Sequence, residues 1–360
     1  MPSIRKQGEL MSGFNTDRRA FLAASAAVAF TPGITRAAQA DDAIARLYRG
    51  AMVINGNLVG PFDDAAPLDQ ATADQVRASG LTAFKMTIGG PNGGYDEVNT
   101  DIAAFDKAIE MSAGLYMKIV TADDLLTAKR TGRIGVIYSF EAADMLKGEV
   151  DMIDHFSALG VRVMQLSYNT VSPFASGVMA LQPSEGLTPL GREAVARMNA
   201  AGVTLDLSHA DERSSLDAVG VSTRPVAITH AGCAAVYDHP RNKSDAVLRA
   251  VADKGGVVGL YELSYISAGP AQQSIDDYLA HLLHALSVCG EDHVGIGSDA
   301  ILTPFDTSPE SMAQWNASIE ARRVAGVAAP GEGRPPFVEG LNRPDRCEVI
   351  ARALLARGQP

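Results

Sequence analysis

A chain of 360 residues with 46% hydrophobic content can bury a large core, as one barrel or as two smaller domains, and it has no apolar run long enough to span a bilayer. The net charge of −11 and the pI near 5.1 argue against nucleic acid or an anionic membrane as partner, because both present phosphates that an acidic surface repels; a small-molecule substrate is expected. Three cysteines, Cys233, Cys289 and Cys347, without paired spacing indicate neither a disulfide framework nor a cysteine zinc site, so any metal falls to histidine and carboxylate.

Residues 1–40 read as an export signal. Asp17-Arg18-Arg19-Ala20-Phe21-Leu22 has the twin-arginine pattern, an apolar stretch runs to Phe30, and Ala38-Gln39-Ala40 offers a small-residue cleavage site. The stretch is too short for a membrane span and is interrupted by Pro32 and Gly33. The expectation is a periplasmic protein, exported folded, whose mature part is a single domain over residues 41–360.

Beyond residue 40, eight apolar runs alternate with amphipathic helical stretches: 51–57, 81–88, 134–140, 161–168, 203–209, 225–231, 255–262 and 293–299. Alternation without hairpin signals predicts parallel strands, and eight units predict a closed (β/α)8 TIM-like barrel whose strands are buried on both faces. An open doubly wound sheet is the weaker alternative, since no Gly-x-Gly-x-x-Gly follows the first run. Residues 303–339, rich in Pro, Gly and charge, predict an excursion over the barrel mouth, and 344–357 has the periodicity of a closing helix.

Barrel chemistry sits at the C-terminal ends of the strands. There the runs supply Asn57, Glu141, Tyr168, His209, His230 and Asp299. Two imidazoles and a carboxylate, His209, His230 and Glu141, can hold a divalent ion with an open position, and Asp299 can move the proton. The other five histidines have plainer settings: His155, His281 and His284 in helical patterns, His239 in a polar loop, and His293 before a strand. Asp206 reads as a hydrogen-bonded buried carboxylate. Lys85, inside the second run, either faces the mouth and supplies positive charge there, or leaves the barrel between helices with its ammonium in solvent, the more usual arrangement.

Asp206-Leu-Ser-His209, Thr229-His230-Ala231, Asp238-His-Pro-Arg241-Asn242, Gly295-Ile-Gly-Ser-Asp299 and Leu187-Thr-Pro-Leu-Gly-Arg192 together resemble the renal or membrane dipeptidase family, metallopeptidase family M19, over about residues 51–350. The resemblance implies a metal-dependent hydrolase barrel in which two zinc ions activate water to cleave a dipeptide. By the match, Glu141 bridges the metals, His209 and His230 bind the second zinc, Arg241 holds the substrate carboxylate and Asp299 is the proton-transferring acid. The chain also departs from the pattern. Where the family has a His-x-Asp pair for the first zinc, this sequence has Asn57 and Val59, so one zinc site is expected and the second weak or absent.

Tyr168 stands where the family has a substrate-contacting histidine, and its phenol either donates to a developing oxyanion or packs. The family's further C-terminal helix has no counterpart before Pro360. The leading expectation is an exported zinc dipeptidase acting on a dipeptide or small amide, with a homodimer left open. Two alternatives stand beside it: a mononuclear iron enzyme in maturation of an exported metabolite, and a dipeptide-binding homologue without activity.

Overall fold

The computed structural model describes residues 43–358; the expected signal at 1–40 lies outside them. The chain divides into two compact units, residues 1–51 and 52–360. In the first, residues 43–50 form a helix; the barrel lies in the second.

Eight parallel strands form the barrel of the second unit. They are β1 (Ile54–Asn55), β3 (Ala83–Thr87), β5 (Ile134–Phe140), β6 (Val161–Met164), β7 (Thr204–Leu205), β8 (Ala227–Ala231), β9 (Val257–Leu260) and β10 (Val294–Ile296). Ladders join β1 to β3, β3 to β5, β5 to β6 and β6 to β7, and β8 to β9 to β10. A parallel bridge between Asp206 and Ala227 joins the two groups. The Gly56 N–H donates to Ile296 O at 2.8 Å and closes the ring. Each of the eight apolar runs supplies one of these strands, shorter than the run itself, because the rim residues leave the ladder to carry side chains. Sequence patterning misses the small pieces: β4 (Tyr116–Lys118) pairs with β5, and β2 (Leu58–Val59) pairs with β11 (Ala300–Ile301).

The helices are α1 (Gln70–Ala78), α2 (Tyr95–Met111), α3 (Ala122–Thr131), α4 (Met152–Ala158), α5 (Pro189–Ala201), α6 (Glu212–Val221), α7 (Asp245–Asp253), α8 (Ile275–Cys289), α9 (Pro309–Val324) and α10 (Arg346–Ala356). Their starts follow local chemistry. Thr121 and Ser274 form capping boxes with Asp124 and Asp277, and Thr188 and Ser308 cap helices that open with proline. Strand residues on the outer face meet the helices: Phe140 packs edge-on against Phe156 of α4 at 4.9 Å. Alternate residues turn inward, and there the interior is polar. Lys85, Ser139, Gln165, Asp206 and Thr229 touch one another directly beneath the rim.

The β8–β9 register shifts between Ile228 and Ala231. The shift turns the Thr229 carbonyl toward Gly56, Gly259 and Gly297, where a Cβ on any of the three would collide with it. The 303–339 excursion lies over the strand-end loops, but it is not irregular throughout, since α9 occupies 16 of its residues.

Candidate metal centre

Glu141 directly follows β5, His209 lies four residues beyond β7, and His230 is inside β8. One ligand atom from each falls within 4.8 Å of the others. His209 Nε2 lies 3.1 Å from His230 Nε2 and 4.0 Å from Glu141 Oε2. The hydrogen-bond network assigns the ring protons. The Asn169 amide nitrogen donates to Val327 O at 2.8 Å, so its Oδ1, 2.8 Å from His209 Nδ1, accepts from that ring. The Thr229 hydroxyl donates to Asp206 Oδ2 at 2.6 Å and therefore accepts from His230 Nδ1 at 2.9 Å.

Both Nε2 atoms thus carry lone pairs that face each other beside a carboxylate. Two acceptors so close repel unless a cation offsets them; Arg241 Nη2 donates to His209 Nε2 at 3.2 Å, and two imidazoles with one carboxylate are also a donor set for a divalent ion. Burial, with help from Arg241, holds His209 well below the usual histidine range; burial and Lys85 do the same for His230. The rings are neutral, the state metal binding requires, so the approach of His209 to Glu141 is not an ion pair.

Asp299, held at φ 52° just beyond β10, accepts from the Asn57 amide at 2.7 Å. Burial raises its pKa above the ordinary aspartate value, making it a weaker acid. Burial and the Asp299 charge together push Glu141 up to about 7. Asn57 is 4% exposed and acts as a donor to a carboxylate, while Val59 is 58% exposed and has no ligand atom. Lys85 is 2% exposed and donates to Ser139 Oγ at 3.1 Å. The arrangement in which it escapes between helices is therefore incorrect, because the polar interior gives its ammonium partners that solvent would otherwise supply. Asp206 is a buried carboxylate, as its setting in sequence suggests, accepting from Gln165, Ser208 and Thr229.

Tyr168 stacks on His209 with ring centroids 4.1 Å apart. Arg241 is 1% exposed; its guanidinium donates to Ser208 O and lies 3.2 Å from His209 Nε2. All six rim residues therefore meet at one place. Sequence reasoning misses Arg322, on the last turn of α9, which bonds Tyr168 and Glu332 and whose charge acts on Glu141 and Asp299. It misses Asn169 as well. The remaining histidines bond elsewhere: His155 to Asn99, His239 to Pro330 O, His281 to Ile266 O, His284 to Asp245 and His293 to Gly256 O. His239 is buried, contrary to its polar sequence setting, because it stacks on Tyr265. All three cysteines are buried thiols.

A parallel barrel with two histidines and a carboxylate gathered at its strand ends is a TIM-like (β/α)8 barrel carrying a candidate metal centre. Residues 63–324 match the profile of the membrane dipeptidase family, peptidase family M19, and the chain belongs to that family. It is 33% identical over 195 residues to an uncharacterized dipeptidase of Schizosaccharomyces pombe, covering 52% of this chain and 46% of the relative. It is 30% identical over 239 residues to the dipeptidase tcpJ of Claviceps purpurea, covering 66% and 49%.

The chain spans about half the length of these relatives. Among solved structures, an amidohydrolase from Pseudomonas aeruginosa superposes with a TM-score of 0.70 at 27% identity, over 88% of this chain and 93% of that one. A metallopeptidase from Rhodobacter sphaeroides, liganded with a phosphinate mimic of L-Ala-D-Ala, shares the fold with a TM-score of 0.62 at 20% identity, over 86% and 93%.

Proposed function

We propose that this chain is a metal-dependent dipeptidase that hydrolyses the amide of a dipeptide or a closely related small amide, with one divalent ion, zinc, held by Glu141, His209 and His230. The observation that carries the reading is the convergence of two proton-free Nε2 atoms and a carboxylate within 4.8 Å. A bound ion would supply Lewis acidity, polarising the scissile carbonyl and acidifying a water.

The chain's own groups do the rest. Asp299, buried and bonded to Asn57, takes a proton from the attacking water and returns it to the leaving amine. Tyr168 donates its hydroxyl hydrogen to the developing oxyanion. Arg241, already at the imidazoles, offers its planar fork to the substrate carboxylate. The L-Ala-D-Ala mimic on the Rhodobacter sphaeroides relative supports a dipeptide of that type as substrate. The Arg18–Arg19 segment supports export to the periplasm. Among the described residues, no helix is long and apolar enough to cross a membrane.

Two histidines and one carboxylate also suit Fe(II), so metal identity and activity are read together. Protein purified without chelator is expected to hold zinc and to cleave a panel of L-Ala-D-Ala-type dipeptides, with both properties lost in His230→Ala. Iron with oxygen consumption, or ligand binding without a metal or turnover, would reject the hydrolase.

A further inference from the structure

Lys85 is the odd group of the barrel interior. An ammonium in mid-strand is costly to bury and is normally matched by a carboxylate of its own. Here the nearest, Asp206 Oδ2, is 3.9 Å away, and Asp206 already accepts from Ser208, Thr229 and Gln165. The direct contacts of Lys85 Nζ are hydroxyls, Ser139 Oγ at 3.1 Å and Thr87 Oγ1 at 3.5 Å. Its charge is therefore felt upward, at Glu141, Asp299, His209 and His230.

The charge balance of this pocket decides how many ions it takes. Glu141, Asp206 and Asp299 are three carboxylates; Lys85 and Arg241 are two fixed cations. Arg322 is matched by Glu332, and Lys243, which donates to Ala210 O, lies in the field of Asp211 as well as Asp206. With all three carboxylates ionised, the fixed groups sum to one negative charge. One divalent ion brings the sum to one positive charge and a second would bring it to three, in an interior where like charges are weakly screened. Nor, among the described residues, is a second group of ligands found near Asp299: Asn57 is a donor to it and Val59 is exposed.

We propose that Lys85 is a built-in counter-cation of the metal centre, a positioning residue whose fixed charge takes the place of a second ion and limits the site to one divalent ion per chain. The inference rests on the metal-dependent reading above. It also gives the polar interior a purpose: Ser139, two residues before Glu141, holds the ammonium beneath the ligands without neutralising it.

The test is a metal titration of the full chain, with occupancy by elemental analysis after dialysis against excess zinc and Kd from the visible absorption of bound Co2+. Wild type takes up one ion. Lys85→Gln, which drops the charge yet can still donate to Ser139, binds that ion at least tenfold more tightly or takes up a second, whereas Lys85→Arg behaves as wild type. A folded Lys85→Gln chain with one ion at unchanged or weaker Kd overturns the proposal, as do two ions in wild type. Should Lys85→Gln fail to fold, Lys85→Met is read by the same criteria. A wild-type chain that takes up no ion fails the metal-dependent reading itself; an ion bound with no response to Lys85→Gln fails only this one.

Discussion

Arg322 Nη2 lies 2.9 Å from Tyr168 Oη and joins the end of α9 to the loop after β6. A guanidinium only donates, so the phenol oxygen accepts and the hydroxyl hydrogen is left to donate elsewhere. With the ring stacked on His209, the donor is fixed beside the metal ligands. If it serves the oxyanion, Tyr168→Phe lowers kcat by about a hundredfold with little change in KM. Arg322→Met lowers it in the same direction, and the double variant is no slower than Tyr168→Phe alone, because both act through one hydroxyl. Steady-state kinetics on a dipeptide decide it; independent, multiplying losses would separate the two residues.

Thr229 orients His230 through a hydroxyl that accepts from the ring and donates to Asp206. Thr229→Val keeps the shape and removes that link, leaving Nδ1 without its acceptor. Metal affinity is expected to fall about 10–100-fold while all three ligands remain. A Co2+ titration against wild type checks this, and an unchanged Kd would mean that the tautomer is set by something other than Thr229.

The pH dependence of stability has a definite sign. In the metal-free protein Glu141 is raised from 4.5 to about 7, and Asp299 is shifted the same way. A carboxyl whose folded value is raised contributes stability that is fully present below its unfolded value and lost as pH rises through its folded value. The melting temperature of the metal-free chain should therefore fall between about pH 4.5 and 7. Glu141→Gln should flatten that slope, and added zinc should reverse the loss at the alkaline end, since the ion binds the ionised carboxylate of the folded chain. Thermal melts across the pH range, with and without zinc, test all three.

Much of this was legible in sequence because strand-end residues are set by chain order. Each apolar run that closes on His209, His230 or Glu141 places that side chain at the rim whatever the helices do. What escaped has a different physical origin. Arg322 arrives from a segment whose Pro and Gly content hides a helix, and its contact with Tyr168 is purely tertiary. The interior position of Lys85 depends on which face of β3 turns inward, and a run buried on both faces carries no alternation to reveal it. Likewise, the cleft between Gly56, Gly259 and Gly297 that admits the Thr229 carbonyl comes from one glycine inside β9 and two just past the ends of β1 and β10, whose convergence no spacing encodes.

A last prediction concerns the closing helix. Arg346 of α10 and Glu262, just beyond β9, are both fully enclosed, with Nη1 3.4 Å from Oε1. Arg346 also donates to Ile301 O at 2.6 Å, so one side chain ties α10 to β11 and to the end of β9. Burial outweighs the arginine and leaves Glu262 raised above the usual carboxylate range, so the pair is only partly compensated. Arg346→Met strands the carboxylate and should destabilise the chain by about 3–5 kcal/mol at neutral pH. The penalty should shrink in acid, where the carboxyl can protonate instead of remaining as a buried ion. Glu262→Gln combined with Arg346→Met should recover much of the loss, because no charge is then left unpaired. Urea unfolding at pH 5 and pH 8 measures both effects, and an equal cost at the two pH values would show that the lost bond to Ile301, rather than the stranded charge, dominates.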